Sequence, residues 1–242
     1  MMQSLRQRYR DEQFQPTWLG VLVNPFFLAR LTLWRHMQRF GGSMRGKLLD
    51  VGCGSQPYRQ LFHGAQYVGL DIDTPTTRAR GLADVFYDGL AFPVPDADFE
   101  CVLCSQVLEH VFTPDDFLSE IYRVMQPGGR LLLTVPFVWD EHEQPYDFAR
   151  YSSFGLRALL ERNGFRVIEQ HKLMADASMF FQLAIAYLWK VIPGRSVPRN
   201  VLVTLILAAP LSLLGLLASA LLPQNPDLFL DQLVLAEKPA SA

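Results

Sequence analysis

Charge is scarce in this chain. Asp, Glu, Lys and Arg make up 19% of its 242 residues, against 50% apolar ones, and the mean hydropathy is +0.10. So apolar a composition excludes an intrinsically disordered chain. A basic excess is missing as well: the formal net charge is −2, which provides no field for coating a phosphate backbone, and no nucleic-acid partner is expected. Cysteine is limited to Cys53, Cys101 and Cys104, an odd number that suits a reducing cytoplasm better than a disulfide scaffold. Cys101 and Cys104 form a C-x-x-C, but no second pair or His follows at zinc spacing and both lie in a strand-like run. They read as inert core thiols, and no metal site is expected. The first apolar run starts only at Trp18 and is broken by Asn24, Pro25 and Arg30, so no secretory signal is expected.

The little charge there is lies unevenly. Residues 1–45 carry seven Arg against Asp11 and Glu12, a net of +5, and residues 177–223 carry Lys190, Arg195 and Arg199 with no acid. An acidic body therefore lies between a basic amphipathic helical segment at 1–45 and a basic, apolar insert at about 177–223. Val201 to Leu222 is a run of 22 residues without a charge, long enough for a bilayer span of about 20 residues, with Pro210 and Gly215 expected to interrupt it. With Ala177 to Ile192 before it, joined through Pro193 to Arg199, it reads as a helical hairpin. Both ends of the hairpin join strands of one sheet. Two full spans would thus carry Lys190, Arg195 and Arg199 across the membrane, against the positive-inside tendency. A hairpin dipping into or lying on the cytoplasmic face fits better, and the competing readings are a homodimer interface or a cap over a substrate pocket.

From Lys47 to the end of the chain, short apolar runs alternate with helical patterns. Strands are expected at 47–51, 67–71, 99–105, 131–135, 165–168 and 232–237, the fourth after a turn at Gln126 to Gly129. Helices are expected at 115–125, where Phe117, Leu118, Ile121 and Val124 recur at helical spacing, and at 153–163. This alternation is that of an α/β, doubly wound parallel sheet, whose ligands bind beyond the carboxyl ends of the strands. There the first strand runs into Asp50-Val51-Gly52-Cys53-Gly54 and the second ends in Asp71. Two glycines one residue apart permit a sharp turn and close approach of a ligand, and a strand-end carboxylate can accept both hydroxyls of a ribose. The third glycine of a dinucleotide fingerprint is lacking, since Ser55, Gln56 and Pro57 follow Gly54. An acid ahead of the glycines suits a cation better than a pyrophosphate, which points to a nucleoside with a positive amino-acid tail.

Leu48 to Gly54, Val68 to Ile72, Phe92 to Glu100, Val107 to His110 and Arg123 to Gly129 together resemble, in order, the motifs of class I S-adenosylmethionine-dependent methyltransferases. The resemblance covers about residues 46–171 and implies a seven-stranded sheet with an antiparallel last strand, within a domain at 46–242 that the hairpin interrupts. It also implies S-adenosyl-L-methionine as cofactor, bound by Asp50, Gly52, Cys53, Gly54, Asp71, Ile72, Asp88, Ser105 and Gln106. The segment Pro136 to Tyr151 resembles a P-F-x4-H-x2-P-x-D-x2-R-Y pattern of one bacterial branch and is expected to form a lid. Within it His142 is the candidate general base for a hydroxyl acceptor, and His110 is a second candidate. Asp147 and Arg150 would brace the lid as an ion pair. Asp140, His142 and Glu143 make a poor metal set, because Tyr146 and Pro145 spoil an H-E-x-x-H helix. The sequence thus supports a methyltransferase acting on a small or lipid-linked acceptor at the membrane; a membrane-associated binding or scaffold protein that keeps the fold without turnover is the alternative.

Overall fold

The computed structural model describes residues 2–192 and 196–240, with side chains from residue 7 onward and without that of Val197. Among the described residues the helices are α1 (Met2–Phe14), α2 (Gly20–Val23), α3 (Phe27–Gly41), α4 (Pro75–Arg80), α5 (Pro114–Val124), α6 (Ser153–Arg162), α7 (Ser178–Val191), α8 (Val197–Val203) and α9 (Ala209–Leu221). The strands are β1 (Gly46–Val51), β2 (Ala65–Ile72), β3 (Val85–Tyr87), β4 (Phe99–Ser105), β5 (Met125–Pro136), β6 (Arg166–Leu173) and β7 (Asp231–Glu237). The chain forms two compact units, one of residues 37–171 and 231–242, the other of 1–36 and 172–230.

The first unit holds a single seven-stranded sheet in the order β3-β2-β1-β4-β5-β7-β6. Its pairs β1–β2, β1–β4, β2–β3 and β4–β5 are parallel, whereas β7 runs antiparallel to β5. Consecutive residues of the central strands, such as Leu48 and Leu49 or Leu131, Leu132 and Leu133, are all fully buried. A strand turns successive side chains to opposite faces, so this sheet is covered on both. One cover comes from α5 and α6, whose Phe117, Leu118, Ile121, Leu156 and Leu160 share a cluster with Leu49, Val102, Leu131 and Leu133.

Two local expectations are corrected. The turn at Gln126 to Gly129 does not precede a strand but bulges out of β5: Phe99 pairs with Met125 and Cys101 already with Arg130, with Gly128 at φ 80°. The other concerns Pro210 and Gly215, which do not interrupt the apolar helix, since Pro198 to Leu221 is one helix of 24 residues. Pro210 lacks a donor and would crowd the carbonyl four residues back, and the helix accommodates it by widening into a π turn over Thr204–Ala208.

The second unit is wholly helical apart from its connections. A Cβ built at Gly215 of α9 would come to 3.0 Å from Leu28 Cδ1 and 3.1 Å from Phe181 Cβ, so glycine is what allows α3 and α7 to approach. Gln182 of α7, fully buried, accepts from the Ala29 amide (3.2 Å) and donates to the Pro25 carbonyl (3.2 Å). The expected hairpin basic loop lies partly outside the described residues, at Pro193, Gly194 and Arg195.

Candidate active site

Strand order reverses between β1 and β4, both flanked by parallel neighbours, and a doubly wound sheet places its ligand beside the loops that leave the two strands at such a point. Gly52 (φ 71°) starts the loop after β1, and a Cβ on it would meet Val107 Cγ2, after β4, at 2.5 Å. Both requirements exclude a side chain. Gly54 (φ 51°) differs: the nearest atoms to a Cβ there, Arg80 Nη1 and the Gly52 carbonyl, are 3.9 Å away, so the space beside it is open. The loop is pinned by the Gly52 and Cys53 amides, which donate to the Leu70 carbonyl at 2.9 and 3.0 Å.

Two acids flank this cradle. Asp71 accepts from the Gly54 amide (3.2 Å) and from the Ile72 amide (2.9 Å), which fixes the carboxylate against the glycine loop; burial nonetheless raises its pKa. Asp50 is nearly inaccessible. Burial pushes its pKa up to about 7, opposed by a hydrogen bond from the Tyr67 hydroxyl and reinforced by the nearby Asp71. A buried acid with so raised a pKa is a place where a bound cation is worth most, because the cation restores the ionised form. Cys53 is buried, with a thiol pushed up to about 12 by burial and then by Asp50 and Asp71, so it contributes backbone and not a nucleophile.

The remaining cofactor-binding candidates sit at the same edge. Ile72 is 42% exposed at the end of β2, its Cδ1 3.7 Å from a Cβ built at Gly89, so it shares a wall with the following loop. Asp88 is exposed and accepts from the Leu90 and Ala91 amides (2.9 and 3.3 Å), which commits one oxygen to holding that loop. Ser105 meets Thr134 of β5, Oγ to Oγ1, at 2.9 Å. Gln106, a non-glycine residue at φ 58°, donates its amide to the Thr134 carbonyl (2.9 Å) and its side chain to Thr134 Oγ1 (3.3 Å). Such strain at a strand end is held only where neighbours over-determine it.

The loop after β5 carries the residues expected to form a lid. Arg150 grips Asp147 through two parallel hydrogen bonds of 2.6 and 2.7 Å and also donates to the Asp140 carbonyl (2.9 Å). The expected pair therefore forms, though on an irregular segment and not on a helix. Arg150 holds Asp147 well below the usual carboxylate range, and Asp147 in turn accepts from the His142 amide at 2.9 Å. His142 Nδ1 faces the Asp140 carbonyl (3.2 Å) and Asp147 Oδ2 (3.3 Å), both acceptors, so Nδ1 carries the hydrogen and Nε2 the lone pair. Burial lowers its pKa, as does His110. His110 stands on a single turn, Leu108–His110, with the next helix beginning only at Pro114. Its Nδ1 donates to the Tyr146 carbonyl at 2.6 Å, leaving its Nε2 with a lone pair as well. The two imidazoles meet edge to face, centroids 4.7 Å apart.

Sequence reasoning brought together the glycines and both acids but missed Tyr67, Thr134 and Glu109. Tyr67 has a signal: β1 and β2 pair with Leu48 opposite Tyr67 and Asp50 opposite Gly69, so a phenol two residues ahead of the side-chain-free Gly69 can reach the acid. The Tyr67 hydroxyl is itself pushed upward by burial and by Asp50, which keeps it a donor.

This strand order, with a glycine cradle between two strand-end acids, is the fold of the class I methyltransferases. Residues 49–133 match the family model described as a methyltransferase domain. The chain is similar to a protein of Mycolicibacterium smegmatis described as a probable S-adenosylmethionine-dependent methyltransferase, 33% identical over 58% of this chain and 62% of the relative. The chain spans about three fifths of the length of the curated relatives it matches. Among solved structures it resembles an S-adenosylmethionine-dependent methyltransferase of Mesorhizobium loti, with a TM-score of 0.55 and 15% identity, covering 87% of this chain and 99% of that one. It also resembles the cyclase SpnF, at a TM-score of 0.54 and 20% identity, covering 85% of this chain and 81% of that one.

Proposed function

We propose that this chain is an S-adenosyl-L-methionine-dependent methyltransferase that works at a membrane surface on a small amphipathic or lipid-linked acceptor. The observation that carries the cofactor reading is the pair of acids on the Gly52–Gly54 loop. Asp50 would hold the cationic tail and Asp71 the ribose diol, with Gly54 leaving room for the ligand. The bound cofactor supplies a sulfonium-activated methyl group. What the protein adds is placement: the loops after β4 and β5 bring an acceptor into line, where proximity alone is worth several kcal/mol, on the order of 7 or more. A hydroxyl acceptor also needs to lose a proton, and His142 Nε2, unprotonated in the neutral ring, is the group to take it, with His110 beside it. The Pro136 to Tyr151 segment would then serve as the lid of the bacterial branch it resembles.

Membrane contact is supported by an inside-out helix. On Pro198 to Leu221 the buried positions are the small or polar Thr204, Ala208, Ala209, Ser212 and Gly215, while Leu202, Ile206, Leu213, Leu217 and Leu221 are exposed at 53–73%. Small residues inward and Leu outward is the pattern of helices that pack in lipid. Length limits the depth. At ~1.5 Å per residue the 14 residues of α7 reach about 21 Å, short of a core of about 30 Å. A hairpin dipping into the cytoplasmic leaflet of the inner membrane satisfies this and returns both ends to β6 and β7.

A binding or scaffold protein without turnover is the second reading. The fold alone leaves it open, since the cyclase SpnF is as similar in fold as the methyltransferase from Mesorhizobium loti. Incubating the protein with methyl-labelled cofactor and a bacterial lipid extract tests both: label recovered in lipid supports transfer, whereas calorimetric binding of the cofactor with no label transferred to any fraction supports the scaffold. His142→Ala lowers turnover and leaves cofactor affinity intact if His142 is the base. Recovery of the protein in a low-salt, detergent-free soluble fraction would overturn the membrane reading, and its oligomeric state there tests a homodimer built on the same face.

A further inference from the structure

Glu109 has no partner that explains it. It is fully buried, and neither carboxylate oxygen finds a hydrogen bond among the described residues. Burial pushes its pKa up to about 8, and a carboxyl left unsatisfied in this way is costly to the fold. Its backbone carbonyl, by contrast, is well used, accepting from the Phe148 and Ala149 amides at 2.9 and 3.2 Å. Those two bonds hold the lid directly over the acid.

Two imidazoles gather beside Glu109. His110 Nε2 lies 3.9 Å from Glu109 Oε1, and one ligand atom from each of Glu109, His110 and His142 falls within 4.8 Å of the others. Both rings give their Nδ1 hydrogen to fixed acceptors, Tyr146 O for His110 and Asp140 O with Asp147 for His142. That arrangement orients a metal-binding imidazole and frees its Nε2. Arg150, whose charge acts on Glu109, is already paired with Asp147 through two hydrogen bonds.

We propose that Glu109, His110 and His142 form a binding site for a divalent transition-metal ion, zinc by donor set. Two imidazoles and one carboxylate suit that ion, whose ligands at ~2.0–2.2 Å from the metal stand roughly 3.3 Å apart, so ligand atoms now within 4.8 Å of one another would close by up to about 1.5 Å around it. The ion satisfies the buried carboxylate. Three protein ligands would leave a position open, where a bound acceptor hydroxyl would become acidic enough to lose its proton to bulk water, so that in the loaded protein His142 would serve as ligand and not as base. The binding site does not depend on methyl transfer, and its test does not either.

The full chain in detergent micelles, stripped with a chelator and free of any tag, is titrated with Co²⁺ as a visible-absorbing probe and with Zn²⁺ in competition. One equivalent of Co²⁺ is expected, displaced by one of Zn²⁺. His110→Ala, His142→Ala and the isosteric Glu109→Gln each weaken binding at least about 100-fold. His63→Ala, in a separate turn, leaves it unchanged. Far-UV circular dichroism of Glu109→Gln shows that the fold survives. Absence of a stoichiometric Co²⁺ complex, or a complex indifferent to all three substitutions, overturns the proposal and leaves Glu109 a neutral buried acid.

Discussion

Gly52 and Gly54 stand two residues apart, both at positive φ, yet replacing them is expected to damage different things. At either site an Ala side chain in the left-handed region costs about 1–2 kcal/mol. At Gly52 the new methyl also lands 2.5 Å from Val107 Cγ2 and 3.0 Å from Cγ1, and displacing a packed valine adds about 1–3 kcal/mol. Gly52→Ala therefore loses about 2–5 kcal/mol of folding stability. Gly54→Ala has no neighbour closer than 3.9 Å and loses only the backbone strain, but on the proposed cofactor reading its methyl occupies the place where the cofactor lies against the loop. Thermal unfolding in detergent should thus rank Gly52→Ala as the less stable protein. Calorimetry with the demethylated cofactor at a temperature where both are folded should show Gly54→Ala at least about tenfold weaker than the native chain, a change of about 1.4 kcal/mol. Native-like binding by Gly54→Ala, or a larger stability loss there than at Gly52, would refute the cradle.

Other consequences are separable. A cationic ligand on Asp50 favours its ionised form, so cofactor affinity should rise with pH through about 7 and fall about tenfold between pH 8 and pH 6; Asp50→Asn should be flat over the same range. Tyr67→Phe removes the hydrogen bond that opposes the burial effect on Asp50, and the midpoint of that profile should move upward. Asp71→Asn should weaken the cofactor by roughly tenfold to a hundredfold, the worth of a charged hydrogen bond, with native unfolding behaviour; equal affinity would remove Asp71 from the ribose. Arg150→Lys keeps the charge but not the two parallel bonds to Asp147, and should lower lid stability by about 1–3 kcal/mol, read as faster proteolysis between residues 137 and 151. Leu213→Asp with Leu217→Asp places two charges on the exposed stripe of the apolar helix, and flotation with anionic vesicles should drop at least about tenfold if that face meets lipid.

The strands that periodicity reveals are those with enough residues to show it. β1, β2, β4 and β7 are apolar runs of six to eight residues and lie within two residues of where the pattern places them. β3 has only Val85, Phe86 and Tyr87 and is bounded by Asp84 and by Asp88 and Gly89, which read as a loop; it forms because β2 offers an edge from Leu70 to Ile72. Composition likewise foresaw the apolar hairpin but not its straightness, since a proline inside a helix normally breaks it. The π turn ahead of Pro210 is a backbone solution that no residue type announces. Nor does local patterning reveal that Gly215 serves contact with Leu28, nearly two hundred positions earlier.

The site divides in the same way. Asp50, Gly52, Gly54 and Asp71 are legible because each directly follows or ends a strand, where a doubly wound sheet must put its ligand. His110 and His142 are 32 positions apart, and along the chain His142 has only Asp140 and Glu143 beside it, a set that Pro145 and Tyr146 keep from an H-E-x-x-H helix, so spacing alone predicts no metal. Yet the information was present at the level of topology. β4 and β5 are parallel neighbours, with Ser105 opposite Thr134, so the segments that leave them run side by side. Ser105 precedes Glu109 and His110 by four and five residues, and Thr134 precedes His142 by eight, distances that a turn and a short loop readily close. Strand order converts two isolated histidines and a buried acid into one cluster. The ligand search that would have found it runs across neighbouring strand ends instead of along the chain.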